Sequence, residues 1–275
     1  DGSRTASSAS TNYSLQNYAN DVVATIRECC VPLGVPVPTL VSESGRALAS
    51  HFSVLVFNVL GCSRAPDGEP AQQSDEPLPV ANLRETLQRI RQMDPADPSL
   101  LQEAWNDAIK FREDALAAFR LGYIRLSHRA MAEQLSWTCA KEISSRLPTN
   151  EPIHEDLRGL QRALAWTYYA NLSIFRSAPD TWAIDQLFPV MPIHRLDECP
   201  SELGQFADLT CDSDGKLSRF IDRGSDKSLL ELHPLQEKEP YWIGMFLGGA
   251  YQEVMGNLHN LFGSTNAVHV RLNPR

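Results

Sequence analysis

The sequence predicts a three-part fold: the tail of an α/β domain, an inserted helical bundle, and a β-rich domain. Three observations carry it. Residues 15–33 place Val22, Val23, Ile26, Cys29 and Cys30 at helical spacing, and a short apolar run follows at 35–42. Composition then breaks at residues 63–79 (SRAPDGEPAQQSDEPLP), after which apolar positions recur with helical period almost without interruption to Arg146. From Trp166 onward, short β-rich runs alternate with turn residues.

The first helix is expected to stop at Gly34, and Val35-Pro36-Val37-Pro38-Thr39-Leu40-Val41-Ser42 to be a strand. The run has no polar alternation, as in a strand covered on both faces of a parallel sheet. The loop after it, Glu43-Ser44-Gly45-Arg46, then lies at the strand's C-terminal end, where α/β barrels hold their chemistry. Residues 51–60 read as a further strand, and the Pro- and acid-rich stretch at 63–80 as a flexible linker. Leu83, Leu87 and Ile90 mark one bundle helix. Leu100, Leu101, Ala104, Trp105, Ala108, Ile109, Ala115, Leu116, Phe119 and Ile124 mark a long second one, which Met131, Leu135 and Trp137 continue. A last helix is expected over 156–165. Strands are expected at 166–169, 172–175, 189–195, 217–221, 229–232 and 267–272, and a helix over 250–261. The domain boundaries are therefore 1–62, 63–80, 81–165 and 166–275.

Charge and composition exclude several functions. With 25 Lys+Arg against 34 Asp+Glu the chain carries a net charge of −9, which opposes sequence-independent nucleic-acid binding. No apolar run approaches the roughly 20 residues of a membrane span. Six cysteines without a CxxC pair, and seven scattered histidines without HExxH, argue against a zinc site and fit a reducing, cytoplasmic setting. The start, Asp1-Gly2-Ser3-Arg4, has no secretory pattern. It also lacks Met, and the chain stops just after a strand-like run, so both ends are expected to be cut.

Four clusters hold chemistry-bearing residues. In Glu43-Ser44-Gly45-Arg46, glycine offers a close-approach N–H, arginine a fork for phosphate, and glutamate a partner for a positive group; a surface turn with a local ion pair fits as well. Thr210-Cys211-Asp212-Ser213-Asp214-Gly215 puts a thiol beside two carboxylates on a tight turn, although a solvated hairpin would read alike. Gly248-Gly249-Ala250-Tyr251-Gln252-Glu253 suggests backbone packed hard against a neighbour with a tyrosine hydroxyl at hand, or a core tyrosine. Residues 179–189 (PDTWAIDQLFP) form a loop rich in aromatics and carboxylates.

Taken in order, Glu-Ser-Gly-Arg, Cys-Asp-Ser-Asp-Gly and Gly-Ala-Tyr-Gln make the chain resemble the biosynthetic arginine decarboxylases, relatives of ornithine decarboxylase with an alanine-racemase-like barrel. Residues 185–196 (DQLFPVMPIHRL) and 249–262 (GAYQEVMGNLHNLF) extend the resemblance. It implies the end of a (β/α)8 barrel that binds pyridoxal 5′-phosphate, an inserted helical bundle, and an incomplete, β-sandwich-like C-terminal domain. It implies that Glu43 meets the pyridine nitrogen and that Gly45, Arg46 and Tyr251 hold the phosphate. Cys211, from a partner subunit, would return the proton after CO2 departs. Asp212 would face the positive end of the substrate, with Asp214 and Asp185 as further candidates for its guanidinium. The activity implied is conversion of L-arginine to agmatine and CO2 for polyamine synthesis, in a homodimer or tetramer with shared sites, with Mg2+ as an accessory ion. Ser44 departs from the proline of ornithine decarboxylases but fits the arginine branch. The lysine that joins the cofactor is missing, since Lys110, Lys141, Lys216, Lys227 and Lys238 all lie elsewhere in the pattern. A fragment, inactive by itself, is therefore expected. The alternatives are decarboxylation of ornithine, lysine or diaminopimelate, and a catalytically silent regulatory homologue.

Overall fold

In the computed structural model, which describes residues 13–43, 45–93, 98–147, 158–222 and 226–273, the chain divides into two compact units. One is Ser63–Trp166; the other joins the stretches before and after it. The first element is helix α1 (Leu15–Cys30), whose start is capped by the Ser14 side chain accepting from the Asn17 N–H. It ends before the expected Leu33 because Gly34 turns the chain at φ +63°, in the left-handed region that favours glycine. Residues 35–43 form no strand, against expectation, and Val35, Val37, Leu40 and Val41 are exposed. A strand buried on both faces needs ladder partners and cover on each side, and the described residues supply neither. Helix α2 (Gly45–Ala49) and a 3-10 turn (Ser50–Phe52) lead into β1 (Leu55–Ser63).

The second unit is helical. Helices α3 (Leu78–Gln92), α4 (Pro98–Arg120), α5 (Leu126–Arg146) and α6 (Arg158–Leu164) share one apolar core. Val80, Leu83, Leu87 and Ile90 of α3 meet Leu101, Trp105 and Ala108 of α4 and Met131, Leu135, Cys139 and Ile143 of α5 there. The three-to-four-residue spacing read in the sequence is this buried stripe.

The flexible linker expected at 63–80 is instead a bound strap. Lys141 donates to the carbonyls of Ala65 (3.3 Å) and Pro66 (2.8 Å) and to Asp67 (2.6 Å), while Gln134 and Thr138 donate to the carbonyl of Gly68. Arg84 pairs with Glu69 (3.2 Å) and Glu76 (2.6 Å). Composition marked an irregular segment correctly, but its carboxylates find cations on the helices. The hydrogen bond from Arg84 holds the Glu76 carboxyl below its ordinary value of 4.5. The folded value being the lower, this contact adds stability above that pH, and the gain is lost as pH falls through the depressed value. Glu76→Gln is therefore expected to cost about 1–3 kcal/mol at pH 7. The difference should close on acidification, read as urea midpoints across pH; a deficit independent of pH would contradict the assignment.

The β elements are β2 (Trp166–Ala170), β3 (Val190–Pro192), β4 (Glu202–Ala207), β5 (Lys216–Leu217), β6 (Phe220–Ile221), β7 (Asp226–Lys227), β8 (Leu230–Leu232) and β9 (Tyr241–Met245). Short helices α7 (Ile174–Ser177), α8 (Asp180–Ala183) and α9 (Gln252–Met255) complete the chain. Seven strands make one sheet in the order β3-β9-β1-β2-β4-β5, with β8 also on β4; β6 and β7 form a separate ribbon. β1 runs antiparallel to β9, from Leu55↔Met245 to Val59↔Tyr241. Thus residues 55–62, expected in the barrel, belong to the same sheet as the C-terminal strands. Phe57 and Val59 are buried while Val56 and Leu60 are exposed, the alternation of a strand covered on one face. The helical unit leaves and rejoins between β1 and β2, which are neighbours in that sheet.

Three local expectations fail for identifiable reasons. Residues 172–175 begin helix α7 rather than a strand, because Ser173 caps it and the Ile174 N–H is taken by Asp208. The helix expected over 250–261 is only α9, with Tyr251 at φ +73° before it and Gly256 after it. Residues 267–272 form no strand and expose Val268, Val270 and Leu272.

Candidate functional site

Three segments far apart in sequence meet around Arg46. The loop that leaves β9 bends sharply, with Leu247 at φ +64° and Tyr251 at φ +73°, conformations rare for such side chains and held only where surroundings enforce them. Enforcement comes from Gly249. Its N–H donates to the Ser50 carbonyl (3.1 Å), and an ideal Cβ there would stand 2.0 Å from the Ala49 carbonyl oxygen. The loop is therefore pressed against the end of α2. Tyr251 then lies on Gly45: a Cβ at Gly45 would fall 1.7 Å from the Tyr251 hydroxyl. The Arg46 guanidinium covers the Tyr251 ring at 5.2 Å from its centroid.

The third segment is α8. Asp180, its side chain 5% exposed, accepts from Arg46 Nη2 at 2.5 Å. It also accepts from Gln252 Nε2 at 2.6 Å, and its own N–H donates to Gln252 Oε1 at 3.1 Å. The structure thus brings Gly45, Arg46 and Tyr251 together, and it adds Asp180 and Gln252, which lie in the clusters read from the sequence but were given no role there. The signal for them was weak: Asp180 lies in the acid-rich loop where Asp185 drew notice, and Gln252 merely follows Tyr251. Glu43 is exposed two residues before Gly45, and Ser44 lies outside the described residues.

The thiol turn is built around Asp208. Its carboxylate accepts from the N–H and hydroxyl of Thr210 and from the Ile174 N–H, and its own N–H donates to the Gly215 carbonyl. Any Cβ at Gly215 would meet that carboxylate at 2.1 Å. Asp212 Oδ1 accepts from the Asp214 N–H (3.0 Å). Cys211, Asp212 and Asp214 are all exposed on this fixed turn. Asp214 also lines a cleft of about 230 Å³ together with Asp185, Lys216, Arg219 and Trp182. There Asp185 (φ +54°) pairs with Arg219 at 3.2 Å, so a cation of this chain already meets its carboxylate. Among the described residues no hydrogen bond or ion pair joins Cys211 to Glu43, Gly45, Arg46 or Tyr251.

Cys211 and Cys139 differ in character: Cys139 is buried in the bundle, where burial pushes its thiol up to about 12, far from a reactive thiolate. Of the lysines, Lys141 binds the strap and Lys227 pairs with Glu231, while Lys216 lines the cleft. Among the described residues no group of three or more His, Cys, Asp or Glu could hold a metal ion, and no helix is long and apolar enough to cross a membrane.

The family model of the arginine decarboxylase helical bundle domain matches residues 73–161. Biosynthetic arginine decarboxylases of Synechococcus sp. (strain RCC307) and Prochlorococcus marinus (strain MIT 9303) are 70% and 68% identical over 275 residues, covering 100% and 99% of this chain. The match takes in 42% of each relative. The crystal structure of the biosynthetic arginine decarboxylase SpeA from Campylobacter jejuni matches 92% of this chain and 40% of its own, at 33% identity and a TM-score of 0.72. The bundle, the identity along the whole of this chain and the shared fold agree: the chain matches a stretch of the biosynthetic arginine decarboxylases that spans about two fifths of their length.

Proposed function

We propose that this chain is part of a pyridoxal-phosphate-dependent arginine decarboxylase that converts L-arginine to agmatine and CO2, the entry step to polyamines. The observation that carries the proposal is the convergence of Gly45, Arg46 and Tyr251 from segments some 200 positions apart, in a chain up to 70% identical to enzymes of that name. A phosphate fits this cradle. Gly45, lacking a Cβ, lets the Tyr251 hydroxyl close onto its backbone, and Arg46 offers charged donors beside that hydroxyl.

When bound, pyridoxal phosphate supplies an electron sink for the pair left behind by departing CO2. The protein's part is binding and proton control. Gly45, Arg46 and Tyr251 hold the phosphate end. Glu43 keeps a proton on the ring nitrogen, which preserves the sink. Cys211 delivers the proton that replaces CO2 on the substrate's α-carbon. Asp212 and Asp214 face the guanidinium, whose planar fork suits paired carboxylates. Asp185 is the weaker candidate, because Arg219 already occupies it. Cys211 lies on a separate, exposed turn, and a site completed by a second copy of the chain brings that turn to the cradle. The reaction would take place in the cytoplasm, and the lysine that joins the cofactor would lie in the part of the enzyme outside this chain.

The experiment is product analysis with the full-length enzyme and L-arginine, L-ornithine, L-lysine or diaminopimelate. Agmatine from arginine, with the other substrates turned over far more slowly, is expected. Putrescine or cadaverine as the main product would overturn the substrate assignment, and no CO2 from any of them would overturn the enzyme.

A further inference from the structure

We propose that Asp180 is a positioning residue for phosphate recognition: one buried carboxylate locks both the Arg46 guanidinium and, through Gln252, the Tyr251 turn. The proposal rests on the phosphate cradle described above and goes beyond it by naming what assembles it.

Burying a carboxylate is unfavourable unless its charge and lone pairs are met. Asp180 is 3% exposed, and among the described residues its carboxylate is met through Oδ2 by Arg46, at 134 positions' separation, and Gln252, at 72. Gln252, also 3% exposed, is gripped at both ends of its amide. Its Nε2 donates to Asp180 Oδ2 (2.6 Å) and to the Ala250 carbonyl (3.0 Å), and its Oε1 accepts from the Asp180 N–H (3.1 Å). That fixes the residue next to Tyr251, which itself holds the unfavourable φ of +73°. The three segments thus share a single anchor atom, Asp180 Oδ2.

The consequence for binding is a matter of pre-organisation. A free arginine side chain loses rotamer freedom when a ligand orders it, and this loss subtracts from affinity. Arg46, tied at Nη2 and stacked on the Tyr251 ring, is already ordered. Of its five N–H donors the carboxylate takes the Nη2 side, which leaves the others for an anion. The pairing also fixes the direction of the fork, on which bidentate recognition depends. A ligand lacking phosphate gains nothing from this order, and that separates positioning from a general structural role.

The test compares two ligands, pyridoxal phosphate and pyridoxal, on the full-length apoenzyme. Equilibrium dissociation constants are read by absorbance, and melting temperatures of the apo forms are recorded alongside. Asp180→Asn keeps the shape and removes the charge; it is expected to weaken pyridoxal phosphate about ten- to a hundredfold and to leave pyridoxal unchanged. Equal weakening of both ligands, or no weakening of either, would overturn the proposal. Arg46→Met is the control for the underlying cradle. If it fails to favour pyridoxal over pyridoxal phosphate relative to the unaltered enzyme, the cradle itself is wrong. If it succeeds where Asp180→Asn does not, the positioning role alone is wrong. Should Asp180→Asn not fold, Gln252→Met keeps the ion pair, frees the Tyr251 turn and is held to the same two-ligand comparison.

Discussion

Replacing Cys211 by alanine in the full-length enzyme is expected to lower kcat by about 10²–10⁴-fold, the usual loss when a positioned proton donor is removed. Cofactor affinity and melting temperature should stay where they were. The thiol is exposed on a turn whose shape is set by Asp208 and Gly215, so its removal deletes no buried surface and no turn contact. A second experiment tests where the thiol acts. Cys211→Ala and Glu43→Ala enzymes, each expected to be strongly impaired alone, are mixed and allowed to exchange subunits. If the site joins the Glu43 segment of one copy to the Cys211 turn of another, half of the sites in a mixed dimer regain both residues, and activity returns. Failure of the mixture to recover, with exchange verified, would place both residues in one subunit. An unchanged kcat for Cys211→Ala would remove the thiol from the reaction altogether.

The parts of the molecule that could be read in advance are those where local pattern and tertiary environment agree. The bundle is one: Leu83, Leu87 and Ile90, or Leu135 and Cys139, repeat with a helix's own period, and the core they enter is made by adjacent helices of the same kind. The β tail was legible as texture but not as pairing. Nothing local to residues 55–62 says that β1 lies against β9, some 185 positions on, rather than in a barrel; only the one-sided burial of Phe57 and Val59 reveals it. The run at 35–42 failed for the opposite reason, because strand-like composition cannot form a ladder without partners. At the site, Gly45, Arg46 and Tyr251 stood in clusters read from the sequence, and their shared role was an expectation drawn from the resemblance. Asp180 was named only as part of a loop and received no role, since its meaning lies in a contact across 134 positions. The strap shows the same limit: Pro- and acid-rich composition predicts irregular backbone, but whether its charges are solvated depends on Arg84 and Lys141 elsewhere.

Two glycine substitutions should separate packing from function. Gly45→Ala and Gly249→Ala both add one methyl group to the same clasp, and both additions meet an atom at 2.0 Å or less. What they meet differs. At Gly249 the obstacle is the Ala49 carbonyl, with the Phe52 ring at 2.5 Å behind it. Backbone cannot step aside, so the loop must lift, breaking the Gly249–Ser50 hydrogen bond and releasing Tyr251. A loss of about 1–3 kcal/mol in stability is expected, together with loss of cofactor affinity. At Gly45 the obstacle is the Tyr251 hydroxyl, the far end of a side chain that is 44% exposed and can swing outward. Gly45→Ala should therefore leave the melting temperature almost unchanged while it expels the hydroxyl from the cradle and crowds the ligand's phosphate. Its affinity for pyridoxal phosphate should fall about tenfold or more, the worth of a charged hydrogen bond and a close approach together, whereas pyridoxal should bind as before. The diagnostic is the ratio of the two effects in calorimetry and ligand titration. If Gly45→Ala is the less stable variant, or if it binds pyridoxal phosphate as well as the unaltered enzyme, the tyrosine–glycine contact is packing and the phosphate lies elsewhere.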